Sequence, residues 1–196
     1  MDFDVRNDSA KIPYAYIRGN ERVLMIKAGK GGHYSGYSDK YLAIASELNR
    51  LCGYTVICIS NPMDECDGYT DSDILLEVTS HLGIESPELS LMGVSNGGIK
   101  VLQLGCEAEK VQRILLVNMP LMINFHKTKK YIESITERNM LLLYGERDPS
   151  FPYLPFIKNK QLSGVEIKTT PNADHNFTNM CDEFISEAVG YFSREL

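Results

Sequence analysis

The sequence has no excess of positive charge. Its 196 residues include 20 Lys and Arg against 26 Asp and Glu, which gives a formal net charge of −6. An acidic balance without a basic stripe argues against nucleic acid or an anionic membrane surface as a partner. The short basic run of Lys127, Lys129 and Lys130 is interpreted as the solvated face of a helix.

Long apolar runs are also missing. No segment approaches the ~18 apolar residues of a membrane span, so no span is predicted. The opening residues Met1-Asp2-Phe3-Asp4 are acidic and carry no apolar stretch, so we expect no signal peptide. The sequence has no linker, repeat or low-complexity stretch, and its length suits a single domain over residues 1–196.

Paired cysteine spacing is absent as well. The cysteines are odd in number, scattered and without a CxxC pair, which indicates free thiols in a reducing compartment and hence a cytoplasmic location. The five are Cys52, Cys58, Cys66, Cys106 and Cys181. The four histidines form no paired ligand spacing with them, so we expect neither zinc nor another metal, and no organic cofactor.

Short apolar runs alternate with longer amphipathic ones along the chain. This rhythm predicts an α/β fold: a mostly parallel, doubly wound sheet with helices on both faces. An early antiparallel pair of strands is expected at 3–6 and 12–18. Further strands are predicted at 23–28, 54–59, 89–94, 114–118, 140–144 and 165–169. Helices are predicted at 39–51, 72–82, 99–104, 129–138, 153–161 and 179–192.

The segment Gly93-Val94-Ser95-Asn96-Gly97-Gly98 places a serine between small residues, where an apolar run ends and a helical pattern begins. This is the setting of a nucleophile elbow, a tight strand-to-helix turn that projects a serine above the sheet. Its glycines permit a sharp bend and a close approach of strand and helix. The bare G-x-S-x-G pattern also fits a plain glycine turn, but the strand before it, the helix after it and suitable partners downstream favour Ser95 as a nucleophile.

A serine hydroxyl needs a base and an orienting acid, and both should follow later strands at the same edge of the sheet. One predicted strand leads into Asp148, which fits the acid, with Glu146 as a rival and a plain turn residue as the alternative role. The next leads to His175, the one histidine downstream of Asp148 and therefore the base in the order Ser, Asp, His. Asp174 is interpreted as the cap of the following helix.

The glycine loop Gly29-Lys30-Gly31-Gly32 follows an early buried strand. It matches neither G-x-G-x-x-G nor the phosphate-binding GxxxxGK[ST], so a nucleotide site is disfavoured. Its glycines suit a close backbone approach to an acyl oxygen. The predicted oxyanion donors are the backbone N–H groups of Asn96 and Lys30, with Gly29 or Gly31 in place of Lys30 if the register shifts.

These motifs together resemble the α/β-hydrolase fold superfamily across nearly the whole chain. The resemblance rests on Ala28-Gly29-Lys30-Gly31-Gly32, Gly93-Val94-Ser95-Asn96-Gly97-Gly98, Gly145-Glu146-Arg147-Asp148 and Ala173-Asp174-His175-Asn176-Phe177. It implies a serine hydrolase with Ser95, Asp148 and His175 as nucleophile, acid and base. It implies a carboxylic ester or thioester as the substrate.

The sequence departs from that family in two ways. Ala28 stands where a histidine often precedes the oxyanion glycine. Only residues 121–139 are available for the lid that many members insert, enough for one helix and loops. A minimal or absent cap predicts an open, shallow site and argues against interfacial lipase action.

Specificity is the least defined feature. The acyl pocket is expected among residues near the strand ends, where packing is the alternative role. The candidates are Gly29, Gly31, His33, Tyr34, Tyr37, Met119, Leu121, Met122 and Phe151. The acidic loop Asn61–Asp67 either disfavours anionic substrates or is merely solvated. A non-catalytic binding scaffold and an acyltransferase using the same three residues are the alternative functions.

Overall fold

The apolar runs of the sequence form one sheet in the computed structural model of the protein. The structure describes residues 2–7, 11–64, 68–108, 110–123, 125–135, 139–160 and 162–194. Within these ranges there are eight strands: β1 (Asp4–Arg6), β2 (Tyr14–Ile17), β3 (Arg22–Lys27), β4 (Thr55–Ile59), β5 (Glu88–Val94), β6 (Val111–Val117), β7 (Asn139–Gly145) and β8 (Val165–Thr170).

The strand order is β1-β2-β4-β3-β5-β6-β7-β8. β1 pairs antiparallel with β2, and β2 pairs antiparallel with β4. All strands from β4 to β8 run parallel. The central strands are apolar along nearly their whole length because both of their faces are covered, whereas β8 alternates and places charged residues at the exposed edge. The mostly parallel α/β sheet expected from the sequence is confirmed.

Helices cover both faces of the sheet. Their bounds are α1 (Lys40–Cys52), α2 (Asp71–Leu82), α3 (Asn96–Glu107), α4 (Phe125–Ser134), α5 (Leu154–Lys158) and α6 (Cys181–Phe192). The apolar sides of α1 and α6 share one core cluster with one face of the sheet, and those of α2 to α5 share the other. No helix in the described ranges is long and apolar enough to cross a membrane.

Local chemistry explains where the helices start and stop. α1 ends at Gly53, whose φ of 71° is the left-handed conformation of a helix C-cap. α2 begins with a reciprocal capping box between Thr70 and Asp73. The helix expected at 153–161 is shorter, because a 3-10 turn at Phe151–Tyr153 precedes the five residues of α5. α4 starts four residues before its predicted start, and its predicted end at 136–138 lies outside the described residues.

A buried ion pair fastens the end of β3 to the start of α2. The side chain of Lys27 is fully buried, and its Nζ lies 2.6 Å from Asp71 Oδ1. Nζ also donates to the backbone oxygen of Ser60 at 2.7 Å. A buried ammonium depends on such partners, because losing the counter-charge leaves an uncompensated charge away from water.

We predict that Asp71→Asn lowers the free energy of unfolding by about 3 kcal/mol, because Lys27 loses its counter-charge inside the protein. Urea denaturation followed by far-UV circular dichroism measures this change as a lower midpoint at a constant slope. The exposed pair of Glu47 and Arg50 is the matched control, and Glu47→Gln should leave the midpoint in place. Equal midpoints for wild type and Asp71→Asn would contradict a stabilising role of the buried pair.

Candidate active site

Ser95 occupies a strained turn between β5 and α3. Its φ of 52° and ψ of −126° are conformations that a non-glycine residue rarely adopts. The turn is possible because the residues two positions away on each side, Gly93 and Gly97, have no side chains. A Cβ on Gly97 would lie 2.3 Å from the backbone oxygen of Ala28, and one on Gly93 would lie 2.6 Å from that of Gly97. The backbone N–H of Ser95 donates to the oxygen of Val117 at 2.8 Å, which fixes the turn against β6.

Three side chains that are far apart in the sequence form one line of hydrogen bonds. His175 Nε2 lies 2.8 Å from Ser95 Oγ. His175 Nδ1 lies 2.5 Å from Asp148 Oδ2. With Nδ1 protonated, the imidazole donates to the carboxylate and accepts from the hydroxyl at Nε2. The structure therefore brings together the three residues that the sequence analysis singled out.

Asp148, and not Glu146, reaches the imidazole. The Asp148 side chain is 1% exposed, and its Oδ1 accepts from the backbone N–H of Ser150 at 2.7 Å. Glu146 is exposed to solvent. Asp148 is thus held by one hydrogen bond from its own loop and one from His175, which leaves its orientation little freedom.

His175 follows β8 in a turn that Asp174 organises. Asp174 Oδ1 accepts from the backbone N–H groups of Asn176 at 3.0 Å and Thr178 at 2.9 Å. The expectation that Asp174 caps the next helix is therefore wrong, because α6 begins seven residues later in the sequence, at Cys181, and Met180 is its N-cap. The hydrogen bond to Asp148 raises the pKa of His175 above its ordinary value, against the opposing effect of burial.

The glycine loop after β3 lies directly beside Ser95. A Cβ on Gly29 would be 3.2 Å from Ser95 Cβ, a tighter contact than most side chains make, so a glycine favours this approach. Asn61 holds the loop in place by two hydrogen bonds. Its backbone oxygen accepts from Gly31 N–H at 2.6 Å, and its side-chain Nδ2 donates to the backbone oxygen of Ala28 at 3.1 Å. Among the described residues, no acceptor is found for the backbone N–H of Lys30 or of Asn96.

No protein-family model matches the chain, and no curated protein matches it in sequence. Solved structures do match. A candidate α/β hydrolase of unknown function from Agrobacterium tumefaciens superposes with a TM-score of 0.73 at 16% identity, over 98% of this chain and 95% of that one. Est1E from Butyrivibrio proteoclasticus gives 0.69 at 14% identity, over 97% of both chains. A dienelactone hydrolase from Anabaena variabilis gives 0.66 at 16% identity, over 92% and 90%.

The chain has the α/β-hydrolase fold. At these low identities the likeness carries the architecture, and the reaction has to be argued from the residues of the site. The fold explains why Ser95, Asp148 and His175 meet, because each follows the carboxyl end of a parallel strand at one edge of the sheet.

Ser95 and His175 line a cavity of about 690 Å³ on this α/β-hydrolase fold. Two of the pocket candidates, Gly29 and His33, line it together with Lys30. Other lining residues come from the segment before α1 and its first turn: Gly36, Tyr37, Lys40 and Tyr41. The wall opposite the triad is therefore built largely by residues 29–41.

Four other expected pocket residues lie elsewhere. Met119 and Leu121 are fully buried in the core cluster under α2 to α5, because the chain turns inward after β6. Tyr34 packs in the opposite core cluster, and its N–H donates to Ser60 Oγ. Gly31 donates its backbone N–H to the backbone oxygen of Asn61 and does not line the cavity.

The remaining candidates also lie outside the cavity wall, except Tyr37, which is exposed at its edge. Met122 is half-exposed, and Phe151 packs partly buried against the core. In the acidic loop, Asn61 is buried and Asp64 lines a different cavity. Residues 65–67 lie outside the described part of the chain.

The described residues contain no group of three or more His, Cys, Asp or Glu side chains placed to hold a metal ion. The cysteines within the described ranges are free thiols, namely Cys52, Cys58, Cys106 and Cys181. Cys66 lies outside those ranges.

Sequence reasoning missed Asn118, the residue that ties the acid and base loops together. Its side chain is fully buried just after β6, and its φ is 45°. Nδ2 donates to the backbone oxygens of Asp174 at 3.2 Å and His175 at 2.9 Å, and Oδ1 accepts from Gly145 N–H at 2.9 Å. The available signal was a polar residue directly after a buried strand at the edge where Ser95 lies.

We predict that Asn118→Ala lowers the free energy of unfolding by about 2–4 kcal/mol, because three buried backbone groups lose their partner. Asn118→Gly should lose about 1 kcal/mol less, because glycine tolerates the positive φ. Urea denaturation measures both changes, and faster hydrogen exchange at Gly145 N–H localises the effect.

The matched control is Asn179→Ala, since Asn179 is exposed with a φ of 59°. This change removes the same backbone preference without a buried hydrogen-bond network. Equal destabilisation by Asn118→Ala and Asn179→Ala would contradict the cross-linking role of Asn118.

Proposed function

We propose that the protein is a serine hydrolase that cleaves a carboxylic ester or thioester through an acyl-enzyme on Ser95. The observation that carries this proposal is the continuous chain of hydrogen bonds from Asp148 through His175 to Ser95. A nucleophile, a base and an orienting acid in this relation are what acyl transfer from a neutral hydroxyl requires.

In the first step His175 Nε2 takes the proton of Ser95 as Oγ attacks the carbonyl carbon of the substrate. Asp148 holds the imidazole in the tautomer with Nδ1 protonated and stabilises the imidazolium that forms. The backbone N–H groups of Lys30 and Asn96 are the proposed oxyanion donors, each worth about 3 kcal/mol of barrier. They have no acceptor among the described residues, which supports this role.

Collapse of the tetrahedral intermediate breaks the bond to the leaving group. That alcohol or thiol departs with the proton from His175, and Ser95 keeps the acyl group as an ester. Water then attacks the acyl-enzyme while His175 accepts one of its protons. The carboxylic acid leaves and the Ser95 hydroxyl is restored.

We predict that a fluorophosphonate probe labels Ser95 in wild type and that Ser95→Ala abolishes both labelling and turnover of p-nitrophenyl esters of rising chain length. The reason is that Oγ forms the covalent bond in each case. His175→Ala should lose at least ~10³ in kcat, because the hydroxyl then lacks its base. Mass spectrometry of the labelled peptide and absorbance of released p-nitrophenol are the measurements.

Ser72→Ala is the control, since Ser72 is an exposed serine on α2. It should keep labelling and turnover. Equal ester turnover by Ser95→Ala and wild type would refute the nucleophile assignment. Folded protein that is never labelled at Ser95 would favour a binding scaffold, and products formed only with an added alcohol or amine acceptor would favour an acyltransferase.

The pKa of His175 predicts a pH dependence. The base works only when neutral, and its hydrogen bond to Asp148 raises its pKa above the ordinary histidine value of about 6.5. We expect kcat/KM to fall with decreasing pH around a midpoint above that value. In Asp148→Asn the imidazolium loses its partner, so the midpoint should move to lower pH and the plateau should drop by about 10⁴.

Asp174→Asn is the matched control for the pH profile. Asp174 contributes less than Asp148 to the raised pKa of His175, and asparagine retains an oxygen for the turn. Its midpoint should shift slightly downward with the plateau nearly kept. A midpoint that is the same in wild type and Asp148→Asn would count against His175 as the group that titrates.

A further inference from the structure

The cavity at Ser95 is cationic although the protein is acidic. Two lysines line it, Lys30 and Lys40, together with His33 and His175, whereas no Asp or Glu of the described residues does. Asp148 lies behind the imidazole with a side chain only 1% exposed. The chain nevertheless carries six more acidic than basic residues. A cleft of one charge sign inside a protein of the other concentrates ligands of the opposite charge.

Lys40 is the unusual member of this set because it is buried. The residue is 4% exposed, and Nζ donates to the backbone oxygen of Asn176 at 3.0 Å. The ammonium also lies 4.4 Å from the ring centre of Phe184. No carboxylate among the described residues forms an ion pair with it, and Cys181 and Asp174 act on it only at longer range. Burial lowers the pKa of Lys40, as expected for a cation withdrawn from water.

The position of Lys40 on its helix adds to the unfavourable free energy of burying its charge. It is the first residue of α1, where the helix dipole disfavours a positive charge. An ammonium has three N–H donors, and the Asn176 carbonyl takes one of them. A buried cation without an ionic partner is destabilising unless something compensates it. Lys40 lines the cavity that contains Ser95, so a ligand in that cavity would lie next to it.

We propose that the substrate carries a carboxylate or another anionic group that pairs with Lys40, with the exposed side chain of Lys30 assisting at the edge of the cavity. This inference rests on the proposed esterase or thioesterase function, for which it names the substrate class. Of the two roles considered for the acidic loop, it favours simple solvation for Asp64, which lines a separate cavity.

A purely structural role for Lys40 is the competing explanation, since its bond to Asn176 O pins the residue next to His175. Three substitutions separate the two roles. Lys40→Gln keeps a donor for the carbonyl and removes the charge. Lys40→Arg keeps the charge, and Lys40→Met removes both while retaining contact with the Phe184 ring.

The test compares kcat/KM for matched anionic and neutral esters. Mono-p-nitrophenyl glutarate against p-nitrophenyl valerate places the charge on the acyl side. 4-Acetoxybenzoate against its methyl ester places it on the leaving group. We expect wild type to prefer the anionic ester of at least one pair by about 10-fold or more, and less so at high salt.

In Lys40→Gln the ratio of kcat/KM for the anionic ester to that for the neutral ester should fall by about 10- to 100-fold. This ratio should fall equally in Lys40→Met, whereas Lys40→Arg should keep most of it. Lys130→Gln is the control, because it removes one exposed charge on α4 and should leave the ratio unchanged. Ratios that are the same in wild type and Lys40→Gln for both pairs would overturn the proposal and leave Lys40 as a structural pin.

Failure of the proposed function would look different. In that case neither ester of a pair is turned over and Ser95 is not labelled by the fluorophosphonate. Titration calorimetry with glutarate then decides the anion site alone. Binding to wild type that is lost in Lys40→Gln and kept in Lys130→Gln would support it, and no heat of binding to wild type would overturn it.

Discussion

The close approach of the first turn of α3 to the end of β3 is the constraint on which the site depends. Gly97 leaves no room for even a methyl group beside the carbonyl oxygens of Lys27 and Ala28. Because the helix starts so near the sheet, the chain has to turn sharply at Ser95, and that residue takes a strained conformation with its side chain in the cavity. The strain is tolerated because β5, which leads into the turn, pairs with β3 on one side and β6 on the other and so holds the start of the turn in place.

Two buried asparagines then fix the loops around that turn. Asn61 links the glycine loop to the start of α3, since its Nδ2 contacts both Ala28 O and Asn96 Oδ1. Asn118 links the acid loop to the base loop through Gly145 and His175. Loops are ordinarily the mobile part of such a fold, and buried amide side chains that hydrogen-bond to two segments at once supply the rigidity that positioned catalytic groups require.

The strand pattern and the Ser, Asp, His order were readable from the sequence, because buried parallel strands are apolar runs and their carboxyl ends meet at one edge. The acid was harder to assign: Glu146 and Asp148 are two residues apart, and only the turn geometry places Asp148 inside and Glu146 outside. Pocket residues were predictable only in part: Gly29, His33 and Tyr37 line the cavity, but other candidates do not. Met119 and Leu121 follow a strand end as Lys30 does, but the chain folds into the core there and buries both side chains. A position just after a strand does not tell whether the chain turns towards the core or towards the cavity.

Two buried lysines near the same sheet edge, Lys27 and Lys40, differ in the groups that compensate their charge. Lys27 is compensated by Asp71 at 2.6 Å and by the Ser60 carbonyl, so its charge is satisfied within the protein. Lys40 is nearly as buried but meets only a carbonyl and aromatic rings. The fold places a carboxylate beside the buried ammonium of Lys27 but not beside that of Lys40, which lies at the wall of the reactive cavity. The charge of Lys40 is therefore left to be neutralised by a ligand that enters the cavity.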